Sequence, residues 1–197
     1  MARDRRARPQ AESLRLFVAV DMPEQVAMAL EDAVLPWRER LGAGRWVSRE
    51  NWHVTLKFLG RTWPRLVGWV EAACREVAAG AGSFEVQLSG LGVFPGPGRA
   101  RVLWAGLDDP DGRLTGIASG LDAALAKEFT PEKRAFTPHL TVARFNPPIP
   151  MREHAESLAA TSIDAPPFEV DRLILYRSHL SPRGARYEAL EEFPLGS

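Results

Sequence analysis

The stretches His53-Val54-Thr55-Leu56 and His139-Leu140-Thr141-Val142 are one four-residue phrase written twice, once in each half of the chain. Each lies in a segment with strand character. Val54, Leu56 and Phe58 alternate with His53, Thr55 and Lys57, and residues 137–145 read as extended. Side chains alternate across a strand. His53 and Thr55 therefore share one face, with Val54 and Leu56 on the other. His139 and Thr141 repeat that arrangement over Leu140 and Val142. A single copy is an ordinary half-exposed strand, because threonine suits strands anywhere. Two matched copies point to a site to which both strands contribute.

Outward from the tetrads the order of elements is mixed. Residues 14–20 are apolar and partly β-branched, a buried-strand pattern. Asp21 and Pro23 open a helix that ends at Gly42 and Gly44, and Pro64 opens a second helix running to Ala79. Residues 84–88 read as a strand, 90–98 as a glycine- and proline-rich loop, and 101–107 as a strand. Asp109-Pro110-Asp111-Gly112 is a turn before a helix reaching Phe129. Pro147, Pro148 and Pro150 break the second tetrad's strand, and a short helix covers 151–160. Residues 168–177 and 186–191 form the arms of a closing hairpin with Pro182 and Gly184 in its loop. The fold class is α+β. A flexible basic tail, residues 1–12, precedes one body spanning 13–192.

Composition narrows the function. The 197 residues carry 25 basic and 25 acidic side chains, a formal net charge of zero. A protein that coats long nucleic acid normally carries a basic excess, so any phosphate is gripped in a local pocket. Cys74 is the one cysteine, which rules out an internal disulfide and a cysteine-rich zinc site and suits a cytoplasmic location. No apolar run is long enough to span a membrane, and neither a Gly-x-Gly-x-x-Gly turn nor a Gly-Lys-Ser/Thr loop is present. No protein partner is evident, and the chain is expected to be a monomer.

Two imidazoles facing each other across a groove suit in-line displacement at phosphorus. One neutral ring takes a proton from the attacking water. The other, protonated, gives a proton to the leaving oxygen. An ordinary imidazole pKa of about 6.5 serves both tasks near neutral pH. The Thr55 and Thr141 hydroxyls can donate to the phosphate oxygens on which charge builds. No metal or other cofactor is required. Zinc would want three or four converging ligands, and neither His53 nor His139 has neighbours at ligand spacing. His154, among Arg152, Glu153 and Glu156, reads as a solvated helix residue, and His179 as a turn residue.

The paired tetrads resemble the two-histidine (2H) phosphoesterase superfamily. The flanks sharpen the likeness. Residues 15–20 (RLFVAV), 52–60 (WHVTLKFLG) and 136–144 (FTPHLTVAR), with 175–184 (LYRSHLSPRG) and Tyr187, are similar to the bacterial and archaeal RNA 2′,3′-cyclic phosphodiesterase branch. That branch was first called the 2′-5′ RNA ligase family. The resemblance implies a bilobal fold of two antiparallel sheets flanking a central cleft with pseudo-two-fold symmetry, helices outside. It implies hydrolysis of a terminal ribose 2′,3′-cyclic phosphate, on RNA or a nucleotide, to a 2′-phosphate. His53 would be the acid toward O3′ and His139 the base toward water. Some members also join 2′-5′ linkages reversibly. Val142 stands where the family often has leucine, a harmless exchange on a core face.

The remaining candidates are substrate contacts. Lys57 shares the His53 and Thr55 face and is expected at the cleft mouth. Strict alternation puts Arg144 opposite Thr141, unless a bulge turns it inward to meet a phosphate or base. Phe17 is a candidate base-stacking ring. Ser178 and Tyr187 could line the cleft from the hairpin. Trp46 and Trp52 near the first tetrad, and Arg99, Arg101 and Arg134, could touch RNA or simply serve core and surface. Two other readings stay open. The same chemistry could act on 2′-5′ oligoadenylate or another small cyclic phosphate. Alternatively, the chain could be a non-catalytic RNA-binding module.

Overall fold

A computed structural model describes residues 12–181 and 184–196. The basic tail expected at the N-terminus falls almost wholly on residues 1–11, outside the described residues, as do Pro182 and Arg183.

Among the described residues, nine antiparallel strands form one curled sheet made of two halves. The first half runs β3 (Val54–Thr62), β1 (Leu14–Val20), β8 (Arg172–Ser181), β9 (Gly184–Pro194). The second runs β6 (His139–Ile149), β5 (Ala100–Asp108), β4 (Phe84–Phe94), β7 (Phe168–Val170). β2 (Arg45–Trp46) adds to the far side of β6. The halves join where β3 meets β6, at the single Cα pair Val54↔Leu140. The two expected sheets are these halves.

Helices cover the outer faces. α1 (Glu24–Leu41) buries Val26, Ala27, Leu30, Val34 and Trp37, a stripe at helical spacing, and stops at Gly42, whose φ of 53° few other residues adopt. α2 (Pro64–Ala79) packs on α3 (Arg113–Leu125) and on β8 and β9. The Asp109 carboxylate holds the start of α3, accepting from the Leu114 and Thr115 N–H groups at 3.0 Å each. α4 (Ala155–Ala159) lies against β4. Buried side chains from both halves form one contiguous apolar core. Among the described residues no helix is long and apolar enough to cross a membrane.

Three expectations need correction. The stretch read as a glycine-rich loop is strand as far as Phe94, because Gly92 and Gly106 make room for the Trp104 ring. A Cβ at Gly92 would fall inside the indole, and one at Gly106 would come within 3.2 Å of it. The prolines do not end β6 either. Between the pairs Val102↔Arg144 and Ala100↔Ile149, β6 carries the extra residues, and Pro147 and Pro148 occupy that bulge, where the ladder needs no N–H. Lastly, 168–177 is not one hairpin arm. It splits at Asp171 into β7, which pairs with β4, and β8, which pairs with β1.

Candidate active site

The Val54↔Leu140 pairing places the tetrads. In an antiparallel pair the next rungs on either side set His53 opposite Thr141 and Thr55 opposite His139. The two histidines are then diagonal neighbours on one face, a relation that corresponds to about 7–8 Å in a regular sheet. By that register each histidine belongs opposite the other strand's threonine.

Both rings are held in the same way. Nδ1 of His53 donates to the Asn51 carbonyl at 2.9 Å, and Nδ1 of His139 to the Thr137 carbonyl at 2.7 Å. A carbonyl can only accept, so Nδ1 carries the proton and Nε2 of each neutral ring presents a lone pair. Burial pushes His53 down to about 4, against the Asn51 carbonyl, which favours the charged ring; the Arg144 guanidinium adds to the lowering. His139 is lowered for the same reasons in the same order, with Thr137 in place of Asn51.

Aromatic rings fix the imidazoles. Phe17 stacks on His53 at 4.7 Å between ring centroids, and Tyr187 meets it edge-on at 5.0 Å. Tyr176 stacks on Phe17 at 5.2 Å and also lies 6.2 Å from His53, its hydroxyl donating to Asp21 at 2.7 Å. On the other side Phe94 meets His139 edge-on at 5.0 Å, with Trp104 at 6.3 Å. The cleft's open volume, about 600 Å³, lies on the His53 side, where Arg15, Arg45, Trp46, Phe58, Arg144 and Leu180 are among its walls.

Two identical bulges decide which residues enter it. The β1–β3 register shifts between Val18↔Lys57 and Ala19↔Thr55, so Leu56 is the extra residue. The β5–β6 register shifts between Leu103↔Ala143 and Trp104↔Thr141, so Val142 is extra. After each bulge the alternation changes phase. Lys57 turns away from the cleft and is 2% exposed, in an ion pair with Asp122 and donating to the Thr130 carbonyl at 3.0 Å. The expected contact at the cleft mouth is therefore corrected: Lys57 is a core residue. Phe58 and Arg144 turn into the cleft instead.

The other candidates divide. Ser178 and Tyr187 face each other across β8 and β9 and line the cleft. Phe17 is 3% exposed beneath His53, so it backs the imidazole and offers no free face to a base. Trp46 lines the cleft, whereas Trp52 is in the core. Arg99 and Arg101 are exposed away from the cleft walls, and Arg134 lies in a neighbouring groove. His154 is not solvated: its side chain is 14% exposed and meets Trp37 edge-on. His179 pairs with Glu188 at 2.6 Å. Among the described residues no three His, Cys, Asp or Glu side chains cluster as metal ligands would. Burial pushes the Cys74 thiol up to about 12, which leaves it inert as a nucleophile. Sequence reasoning missed Tyr176, Phe94, Trp104, Phe58 and Arg45. Period-two alternation marks them as strand residues, but only the register brings them to one place.

Comparison with known proteins places the chain in a family. A family model described as the 2′-5′ RNA ligase superfamily matches residues 23–182. A Methanothermobacter thermautotrophicus protein named RNA 2′,3′-cyclic phosphodiesterase is 33% identical over 188 residues, covering 92% of this chain and 99% of that one. A crystal structure of a Thermus thermophilus protein superposes with a TM-score of 0.72 at 29% identity, covering 92% and 98% of the two chains. The structure of Escherichia coli LigT complexed with 3′-AMP gives 0.71 at 26%, covering 94% and 100%.

Proposed function

The chain belongs to the 2′-5′ RNA ligase superfamily, and we propose that it acts there as an RNA 2′,3′-cyclic phosphodiesterase, the activity for which its relatives are named. The observation that carries the reading is the crossed pairing of the tetrads. Each ring is tied through Nδ1, which leaves its Nε2 lone pair free, the register runs the two tetrads antiparallel past each other, and one cation, Arg144, acts on both rings.

The reaction follows from that geometry. The cyclic phosphate sits between the rings, its non-bridging oxygens accepting from the Thr55 and Thr141 hydroxyls and drawn by the Arg144 guanidinium. His139 takes a proton from water through Nε2, and the water oxygen bonds to phosphorus in line with O3′. The P–O3′ bond breaks, and His53 gives its Nε2 proton to O3′. A ribose with a 2′-phosphate and a free 3′-hydroxyl results. His53 must be protonated for this, yet burial keeps it neutral in the free protein. The bound phosphate anion restores its basicity and so loads the acid together with the substrate. None of these steps calls for a metal.

The test is a short RNA ending in a 2′,3′-cyclic phosphate, incubated with the protein in excess chelator, its end group then analysed. A 2′-phosphate should form, and His53→Ala and His139→Ala should each lower the rate by at least about 100-fold. Turnover that survives both substitutions, or that chelator abolishes, would sink the reading.

A further inference from the structure

The residue that follows the first tetrad, Lys57, has no place in that reaction. Lys57 is buried, paired with Asp122 of α3, and donates to the Thr130 carbonyl. The Asp122 carboxylate also accepts from the Glu132 N–H, at 3.1 Å to each oxygen. These bonds tie the segment after α3 to β3, the strand that begins directly after His53. The segment forms one wall of a second groove, of about 520 Å³, lined by Phe58, Phe129, Thr130, Glu132, Lys133 and Arg134.

Phe58 is common to this groove and the catalytic cleft. It is 44% exposed, and the Arg15 guanidinium lies 4.6 Å over its ring. Lys133 and Arg134 are both exposed. An aromatic ring that carries one cation over it, lines a groove with two more and is shared with the cleft makes a surface that single-stranded nucleic acid can bind by stacking and by phosphate pairing. The loop is fixed in advance by the buried ion pair, so binding there need not first order it.

We propose that this groove receives the RNA nucleotide upstream of the one bearing the cyclic phosphate, with Lys133 and Arg134 taking its phosphodiester. The inference rests on the reading of the cleft above and extends it: a second binding position, outside the cleft, takes the nucleotide before the reacting one. Lys57 and Asp122 serve it by positioning the loop. Glu132 contributes one opposing charge, leaving the groove's named side chains net positive.

The experiment compares adenosine 2′,3′-cyclic phosphate with a trinucleotide ending in the same group, in the wild type and in the double variant K133A/R134A. The readout is the ratio of kcat/KM, trinucleotide over mononucleotide. The wild type should favour the trinucleotide by at least about tenfold, and the double variant should lose most of that preference. Raising salt should erode the wild-type preference more steeply than the variant's, by a log–log slope of about 0.7 per phosphate contact. A wild type without length preference, or a variant with the same ratio, overturns the proposal. Should neither substrate turn over, the reading of the cleft falls by itself. The groove is then judged by fluorescence anisotropy with a labelled trinucleotide ending in a 2′-phosphate. Binding about tenfold weaker in the double variant supports the groove, and equal binding overturns it.

Discussion

At the scale of single residues, the two histidines have parallel surroundings but are not equivalent. Both carry Nδ1–H tied to the carbonyl two residues before them, and both are lowered by burial. Turnover requires one proton shared by the pair. In the free protein that singly protonated form is abundant only below the ordinary histidine value of 6.5, since both folded-state values lie below it. kcat/KM should therefore peak on the acid side of 6.5 and decline as pH rises. kcat should peak at higher pH, because bound phosphate raises the acid's affinity for its proton. Steady-state profiles check this, and a kcat/KM optimum at or above 7.5 would contradict it. The same residues affect stability. His53 has a folded value near 4, below its unfolded one, so the unfolded chain takes up protons first as pH falls. Stability should drop from about pH 6.5 toward 4, and His53→Gln should reduce that slope in urea titrations. The hydroxyls are a further residue-scale case. Thr141→Val keeps the shape and removes a donor to the charge forming on phosphate, which should lower kcat by about 100-fold, whereas Thr141→Ser should keep most of it.

At the scale of elements, the bulges explain what the sequence hid. His53, Thr55, His139 and Thr141 follow period-two alternation because they precede the irregularity in each strand. Lys57 and Arg144 lie beyond it, and there simple alternation fails in both strands. A bulge leaves no local signature in Leu56-Lys57 or Val142-Ala143. It is set by pairing with β1 and β5, which the sequence does not specify. Gly92 is the complementary case: composition reads it as loop, whereas a close approach of the Trp104 ring makes glycine necessary inside a strand. Gly92→Ala should displace that ring, which stands beside His139, costing about 1–3 kcal/mol in stability and lowering kcat. Urea unfolding with kinetics on the same preparation measures both, and a fully active variant of unchanged stability would contradict the packing argument. Asp122→Ala leaves the buried Lys57 ammonium without its carboxylate, so it should cost about 3 kcal/mol, the upper end of that range, in the same urea unfolding.

At the scale of the whole molecule, strands β3, β1 and β8 of one half answer to β6, β5 and β4 of the other in sheet order, about an axis through Val54↔Leu140. The internal echo of the sequence is the visible trace of this symmetry. The splitting of residues 168–177 between the halves is not visible in it, because that depends on which free strand edge each segment finds. A sheet joined by one rung could behave as two hinged lobes. The packing argues otherwise: Leu140 and Val142 from one half and Val18, Val54 and Leu56 from the other lie in the same contiguous core. Separating the lobes would expose that apolar surface, at about 25 cal/mol per Å². The chain should therefore unfold as one unit. Far-UV circular dichroism, which reports the whole backbone, and tryptophan fluorescence should give coincident urea transitions. Leu140→Ala, emptying the core beside the rung, should shift both midpoints together by an equivalent of about 2–5 kcal/mol. Transitions that separate, or a variant that moves only one of them, would mean that the lobes fold independently. The spacing of His53 and His139 would then be set by binding the substrate, and not by the fold.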